Sequence, residues 1–284
     1  MRRALVALGV AVIALAMVWL YLIFPGMAKL PADYSALYHF EGTAQIAGAT
    51  GALGAVNQTK MDRTLTTTKV NDADALIIQQ VIKFTTSDGK PLSTVDPRFV
   101  ALDSSESYAV DRVNRTNVDG GDKTRSGQFT FPANVKQEAY QMWSATTGTT
   151  LTATFVREET VQGLKVYVFQ IDSKGNAYPN NPTTNLPQTV DIATTLKVEP
   201  VSGTPIDMTT KTTVFMKHPV AGPIPVLIND SHFTSATVDE NVIEGKSNMN
   251  KIMWGSVYGF WGAIALGAVL IVVGLVVKSK AKTA

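Results

Sequence analysis

Apolar and polar positions along this 284-residue chain follow three regimes. From Ala4 to Phe24 twenty-one residues carry no charge, and from Trp254 to Val277 twenty-four carry none. Between them, apolar and polar residues alternate in short runs. A bilayer's hydrocarbon core is about 30 Å thick, and a helix rising about 1.5 Å per residue crosses it in roughly 20 residues. Each terminal run therefore predicts a membrane-spanning helix. The chain divides into an N-terminal anchor over residues 1–25, an extracytoplasmic domain over 26–250, and a C-terminal helix with a basic tail over 251–284.

In the middle region the apolar period is two. Val190, Ile192, Leu196 and Val198 alternate with polar residues in VDIATTLKV. Ile206, Met208, Val214 and Met216 share one face of IDMTTKTTVFMK, while Asp207, Lys211 and Lys217 share the other. Such alternation predicts half-buried strands. LTATFVREETVQGLKVYVFQI predicts a hairpin turning near Gly163, with its second arm, Leu164 to Ile171, apolar on both faces and central in a sheet. Further strands are expected over Met61–Val70, Leu76–Thr85, Ser107–Arg115 and Phe233–Val242. NVKQEAYQMW, Asn134 to Trp143, follows Pro132 with an Asn ahead of Glu138 and predicts a short helix. Asn241 to Met253 predicts a polar helical stalk, and the Pro- and Asn-rich stretch Asn176 to Pro187 a loop. The expected fold class is mainly β: an antiparallel β-rich extracytoplasmic domain with one or two short helices, flanked by N- and C-terminal transmembrane helices.

Charge gives the spans a direction. Arg2 and Arg3 precede the first, and Lys278, Lys280 and Lys282 follow the second. Short basic flanks stay cytoplasmic, so the expectation is a two-pass protein of the cell membrane, both termini inside and the large domain outside. Trp19, Tyr21, Trp254, Tyr258 and Trp261 fall at the outer boundary, where aromatic side chains favour the lipid–water interface. A cleaved secretory signal is the alternative for the first run, but its apolar length exceeds the 7–15 residues of such signals. Gly255, Gly259, Ala263 and Gly267 recur at four-residue intervals, with Ala7, Ala11 and Ala14 as a counterpart in the first span. Such stripes let helices approach closely, within one chain or between copies in a homo-oligomer; Gly and Ala are also simply common in membrane helices. Neither span contains Asp, Glu, Lys, Arg or His, which ion pathways and proton relays usually display, so both read as anchors.

The middle region, residues 27–253, holds all 23 acidic residues and 20 of the 25 basic ones, a net charge of −3. With the whole chain at +2, no nucleic-acid partner is expected. The chain has no cysteine, which excludes disulfides and thiol chemistry. His39, His218 and His232 form no metal motif, and no nucleophile elbow is present. NVDGGDKTR, Asn117 to Arg125, fails the register of a calcium loop and reads as a solvated turn. DRVNR, Asp111 to Arg115, reads as a structural ion pair on a strand. Asn57, Asn114 and Asn229 begin glycosylation sequons. The expectation is a non-enzyme with no catalytic residue, no cofactor and no metal.

Three segments carry a family resemblance: VDRVNRTNVDG, GQFTFPANVKQEAYQMWSATTG and ATFVREETVQGLKVYVFQI. Their shared elements are Asp111 and Arg112; Phe131 and Pro132 followed by Tyr140 and Trp143; and Gly163, Leu164, Tyr167 and Phe169. In this order they resemble segments of the PorA porin-like family of actinobacterial and archaeal membrane proteins. The position after Trp143, often acidic in that family, is Ser144 here. The resemblance implies a two-anchor membrane protein, and the family's name implies a channel, but it transfers no catalytic residue. Alongside the lipid bilayer itself, the expected partner is an envelope lipid, glycan or protein bound or organised by the exterior domain. The alternatives are an oligomeric channel component and a lipid-transfer module laid out like the scavenger receptors of the CD36 type.

Overall fold

The computed structural model describes residues 2–27, 29–48 and 51–277. The chain forms two compact units, Met1–Lys29 with Ser247–Ala284, and Leu30–Lys246. Lys278, Lys280 and Lys282 lie outside the described residues.

The second unit is one antiparallel sheet of eleven strands. They are β1 (Ser35–Ile46), β2 (Asn57–Val70), β3 (Ala75–Thr86), β4 (Ser104–Asp111), β5 (Asn117–Val118), β6 (Tyr140–Ser144), β7 (Thr149–Val161), β8 (Leu164–Tyr178), β9 (Gln188–Val198), β10 (Pro205–His218) and β11 (Gly222–Phe233). Their order is β5-β4-β3-β2-β1-β11-β10-β9-β8-β7-β6. Two meanders are thus joined where β1 pairs with β11, Phe40 opposite Phe233. At that seam Gly42 admits the closest approach: a Cβ there would sit 1.9 Å from the Asp230 carbonyl oxygen. The far edges meet through one residue. Gln128 bridges Thr116 beside β5 and Met142 of β6, so the two ends of the curled sheet meet there.

The period-two alternation builds the interior. On β2 the exposed residues Gln58, Lys60, Asp62, Thr64 and Thr66 alternate with Thr59, Met61, Arg63 and Leu65, which face inward. A curled sheet of eleven strands encloses more space than one of eight. Phe131 and Val135, from the connection between β5 and β6, enter it and pack with Phe169, Val190 and Val198. A second cluster gathers Leu30, Leu65, Leu76, Ile78, Tyr108 and Val110, and a third centres on Phe84, Leu92 and Phe99. The β7–β8 hairpin turns at Gln162 and Gly163, whose φ values of +48° and +77° match the twist that two-residue turns require.

Two local expectations are corrected. Asn134–Trp143 is not a helix. The Asn134 and Val135 amides donate to the carbonyl oxygens of Val201 and Pro200, Asn134 takes a φ of +64°, and Tyr140–Ser144 is β6. Tertiary hydrogen bonds here outweigh a capping signal. Phe233–Val242 is not a strand either. β11 stops at Phe233, the Thr234 hydroxyl accepts from the Thr237 amide at 3.2 Å, and a helix runs over Ser235–Met253. That Thr is an N-cap.

The first unit is helical. α1 (Arg2–Val18) leads into a π-helical turn (Trp19–Ile23) and the short α2 (Phe24–Met27). After α3 (Ser235–Met253) comes a second π-turn (Trp254–Tyr258), then α4 (Gly259–Val276). Only 11% of the most apolar window of each terminal helical run is buried. Leu15, Leu22, Val269 and Val276 are among the large side chains left exposed. A core helix of a soluble protein would bury them; a lipid-facing helix would not.

Candidate functional site

The helical unit is held by glycine contacts. A Cβ on Gly9 would lie 2.5 Å from the Gly267 carbonyl oxygen, and one on Gly267 would lie 2.6 Å from Ile13 Cγ1. Gly274 meets Val6, and Gly255 meets the Phe24 ring. The pairing is antiparallel. Of the expected stripe, Gly255 and Gly267 lie against the N-terminal helix and Ala263 is half-buried. Gly259 departs from it: its neighbour is the Trp254 carbonyl of its own turn, because the π-turn inserts a residue and shifts the register. On α1 the buried residues are Gly9 and Ala16, while Ala7, Ala11 and Ala14 face outward. Tyr21, Trp254, Tyr258 and Trp261 are exposed, and Trp19 donates its indole N–H to the Gly255 carbonyl.

The β unit holds a polar cluster in its interior. Arg63 donates from Nε and a terminal nitrogen to Gln80 Oε1 at 3.1 and 2.9 Å. Tyr108 donates its hydroxyl to the same oxygen at 3.1 Å. The Arg125 guanidinium stacks 3.5 Å from the centre of the Tyr108 ring and pairs with Glu106. Phe129 packs against both Tyr108 and Tyr34, at 5.8 and 6.2 Å between ring centres. Tyr38 lies opposite Arg63 across the β1–β2 pair. Both Tyr34 and Tyr38 face inward and are half-buried. Burial raises the phenol pKa of Tyr34, Tyr38 and Tyr108; Arg63 pulls each back in part.

Arg115 sits beside these rings, 9% exposed. It donates to the carbonyl oxygens of Phe131 and Ser202 at 2.9 and 2.8 Å. Among the described residues no carboxylate comes within 4.0 Å of Arg115 or Arg63 (all ion pairs there involve other cations). Burial lowers the Arg115 pKa, with Tyr34, Tyr38 and Glu244 opposing. Glu199, 1% exposed, shapes the loop that receives it. Its carboxylate accepts from the Val201 and Ser202 amides and the Ser202 hydroxyl. Gly203 completes the cradle at a φ of +73°, where a Cβ would strike the Pro132 and Phe131 carbonyl oxygens at 2.3 and 2.4 Å.

The motif residues support this cluster. Asp111 accepts from the Val113 and Asn114 amides, and the turn it caps holds Arg115 at a φ of +57°. Arg112 bonds the Leu30 carbonyl and pairs with Asp74 at 2.6 Å. DRVNR is thus not an ion pair on a strand: β4 ends at Asp111 and residues 112–114 turn, Arg112 pairs outside the motif with Asp74, and Arg115 turns inward to backbone carbonyls. Phe131, Tyr140 and Phe169 form a ring triad with centres 4.5 to 5.7 Å apart, and Tyr167 packs edge-on to Phe155. Tyr140 also accepts from the Lys136 amide. Trp143 is half-buried with its indole N–H unpaired.

In Asn117–Arg125 the tip, residues 119–124, is exposed as a solvated turn would be, while its ends are tied to the sheet. Gly121 packs over Ser107 and Tyr108, the Asp122 amide bonds the Ser107 carbonyl, and Arg125 is 6% exposed. The Asn229 sequon is 8% exposed inside the sheet, while Asn114 is accessible. Among the described residues no group of three or more His, Cys, Asp or Glu could hold a metal ion. The sequence reading missed Tyr34, Tyr38, Arg63, Gln80, Glu199 and Ser202; the period-two placement of Arg63 between Met61 and Leu65 was the signal that could have found it.

A family model described as Porin PorA matches residues 3–276, nearly the whole chain. No curated protein matches it.

Proposed function

The chain belongs to the porin PorA family, and on that premise we propose that it tethers a β domain to the outer face of the cell membrane, where the domain binds or organises an envelope component without catalysing a reaction. The observation that carries this reading is the pairing of two uncharged helices across Gly9 and Gly267. The pair meets its own packing needs, which suits an anchor. Basic residues at both chain ends favour cytoplasmic termini, an orientation that the antiparallel pairing accommodates. The charged outward row on β2 suits water rather than lipid, since a membrane barrel turns an apolar band outward. The cluster of arginine and tyrosine side chains inside the domain suits binding of a polar group. An envelope lipid, a glycan and a protein are the candidate partners.

The family's description favours a second reading, an oligomeric channel. Two uncharged helices enclose no water path, so this reading requires several copies, and conductance of the purified protein in planar bilayers tests it.

The absence of cysteine makes the tether directly testable. Val220, 90% exposed, replaced in Val220→Cys, is expected to react with a membrane-impermeant maleimide on intact cells. A cysteine appended after Ala284 is expected to react only after lysis. The reverse pattern overturns the orientation.

A further inference from the structure

We infer that the interior of the β domain is a phosphate-binding site in which Arg63, Arg115 and Arg125, with the hydroxyls of Tyr34 and Tyr38, receive one phosphate group. The inference rests on the binding reading above and supplies the chemical class of what is bound.

The argument begins from unmet hydrogen bonding. Four buried side-chain atoms among the described residues lack a partner: Arg115 Nε, Asn117 Oδ1, Arg125 Nε and Trp143 Nε1. All lie between residues 115 and 143, around the seam that Gln128 bridges. Buried donors left unpaired are costly, and those of charged guanidinium groups most of all. Arg115 and Arg125 are both more than nine-tenths buried; one terminal nitrogen of Arg115 donates to the Phe131 and Ser202 carbonyls, and one of Arg125 to Glu106. Arg63, half-buried, ends on the neutral Gln80 amide. Three guanidinium groups therefore stand around Tyr34, Phe129 and Tyr108 with donor capacity to spare.

What they would take is an acceptor-only, negatively charged group. A carboxylate offers two coplanar oxygens and suits a single guanidinium fork. Donors arriving from β2, from the turn after β4 and from the loop after β5 suit a tetrahedral group with oxygens in several directions. The tyrosines strengthen the case, because burial keeps their hydroxyls protonated and able to donate. Of the carboxylates near the cluster, Glu244 acts on Tyr34, Tyr38 and Arg115 and is the one a phosphate would have to outcompete. Glu106 is already engaged by Arg125, and Glu199 by its own loop.

The phosphate could be free or part of a lipid headgroup, and the test separates the two. The full chain, purified in a nonionic detergent, is titrated with inorganic phosphate, and separately with micelles doped with phosphatidylglycerol, while binding heat and the unfolding midpoint are followed. A saturable response to phosphate assigns a soluble anion; a response only to the doped micelles assigns a headgroup. In either case Arg63→Gln, which gives up no backbone contact, is expected to weaken binding about tenfold, the worth of one charge-assisted bond. Tyr38→Phe is expected to weaken it a few-fold. Lys60→Gln, on the outward face of β2, is expected to leave it unchanged. No saturable response to either probe, or equal weakening by Arg63→Gln and Lys60→Gln, overturns the site. If Val220→Cys labels from outside and an envelope component co-purifies while both probes are silent, this inference falls and the tethering reading stands.

Discussion

The indole Nε1 of Trp19 donates to the Gly255 carbonyl oxygen at 2.8 Å, joining the two π-turns of the helical unit. In the second turn the Gly259 amide bonds Trp254 instead of Gly255, so the Gly255 carbonyl is the one that the π-turn releases. In lipid a released carbonyl needs a partner, and Trp19 supplies it. Replacing it in Trp19→Phe keeps most of the ring and removes the donor. The expected loss is about 0.5–1.5 kcal/mol, the range for hydrogen bonds between membrane helices, read from unfolding of the full chain in detergent. An unchanged midpoint would mean that the carbonyl finds another donor at no cost.

Close approach of the helices rests on missing side chains. Gly267→Val would drive new carbons into Ile13 and the Gly9 backbone, at an expected cost of about 1–3 kcal/mol for an overpacked contact. Nothing lies within 4 Å of a Cβ at Gly262, so Gly262→Ala is expected to change stability by less than about 0.5 kcal/mol. Equal effects from the two substitutions would remove the distinction between the buried and exposed glycines of α4.

The ring triad makes the motif residues structural. Phe169 is fully buried against Phe131 and Tyr140. Phe169→Ala is expected to cost about 3–5 kcal/mol. Tyr140→Phe, which loses only the bond from the Lys136 amide, should cost about 1 kcal/mol. Denaturant unfolding of the full chain distinguishes them, and a Phe169→Ala protein as stable as the parent would show that the triad carries no packing energy.

Much of the fold was legible because its signals are local. Alternation in residues 190–198 and 206–217 marks β9 and β10, and the uncharged terminal runs mark α1 and α4. The missed features depend on distant partners. Asn134 and Val135 sit beside a good helix signal, yet their amides bond to Val201 and Pro200, more than sixty residues away. Arg115 looks like a surface charge until the Glu199 loop brings the Ser202 carbonyl to it. The pairing of Arg63 with Gln80 and Tyr108 needs the β2–β3–β4 register, which no single strand specifies. The interior cluster was therefore hidden, although every residue in it was in view.

Those interior tyrosines give the protein an alkaline limit. In an unfolded chain phenols titrate near pH 10. In the folded domain burial holds Tyr34 well above that value and raises Tyr38 and Tyr108 as well. Above about pH 10 the unfolded state releases protons that the folded state retains, so stability declines as pH rises towards the raised folded values. Below that pH both states are protonated, and these groups add no pH dependence. The unfolding midpoint is therefore expected to be insensitive to the tyrosines at neutral pH and to fall beyond pH ~10. Combining Tyr34→Phe, Tyr38→Phe and Tyr108→Phe keeps the rings and removes the titration, so the alkaline fall should flatten. Ultraviolet titration of the native protein provides the check: of its eight tyrosines, Tyr34, Tyr38 and Tyr108, together with Tyr178, whose pKa burial also raises, should resist deprotonation until the fold opens. If all eight titrate together near pH 10 while the protein remains folded, the phenols are not shielded and the interior is open to bulk water.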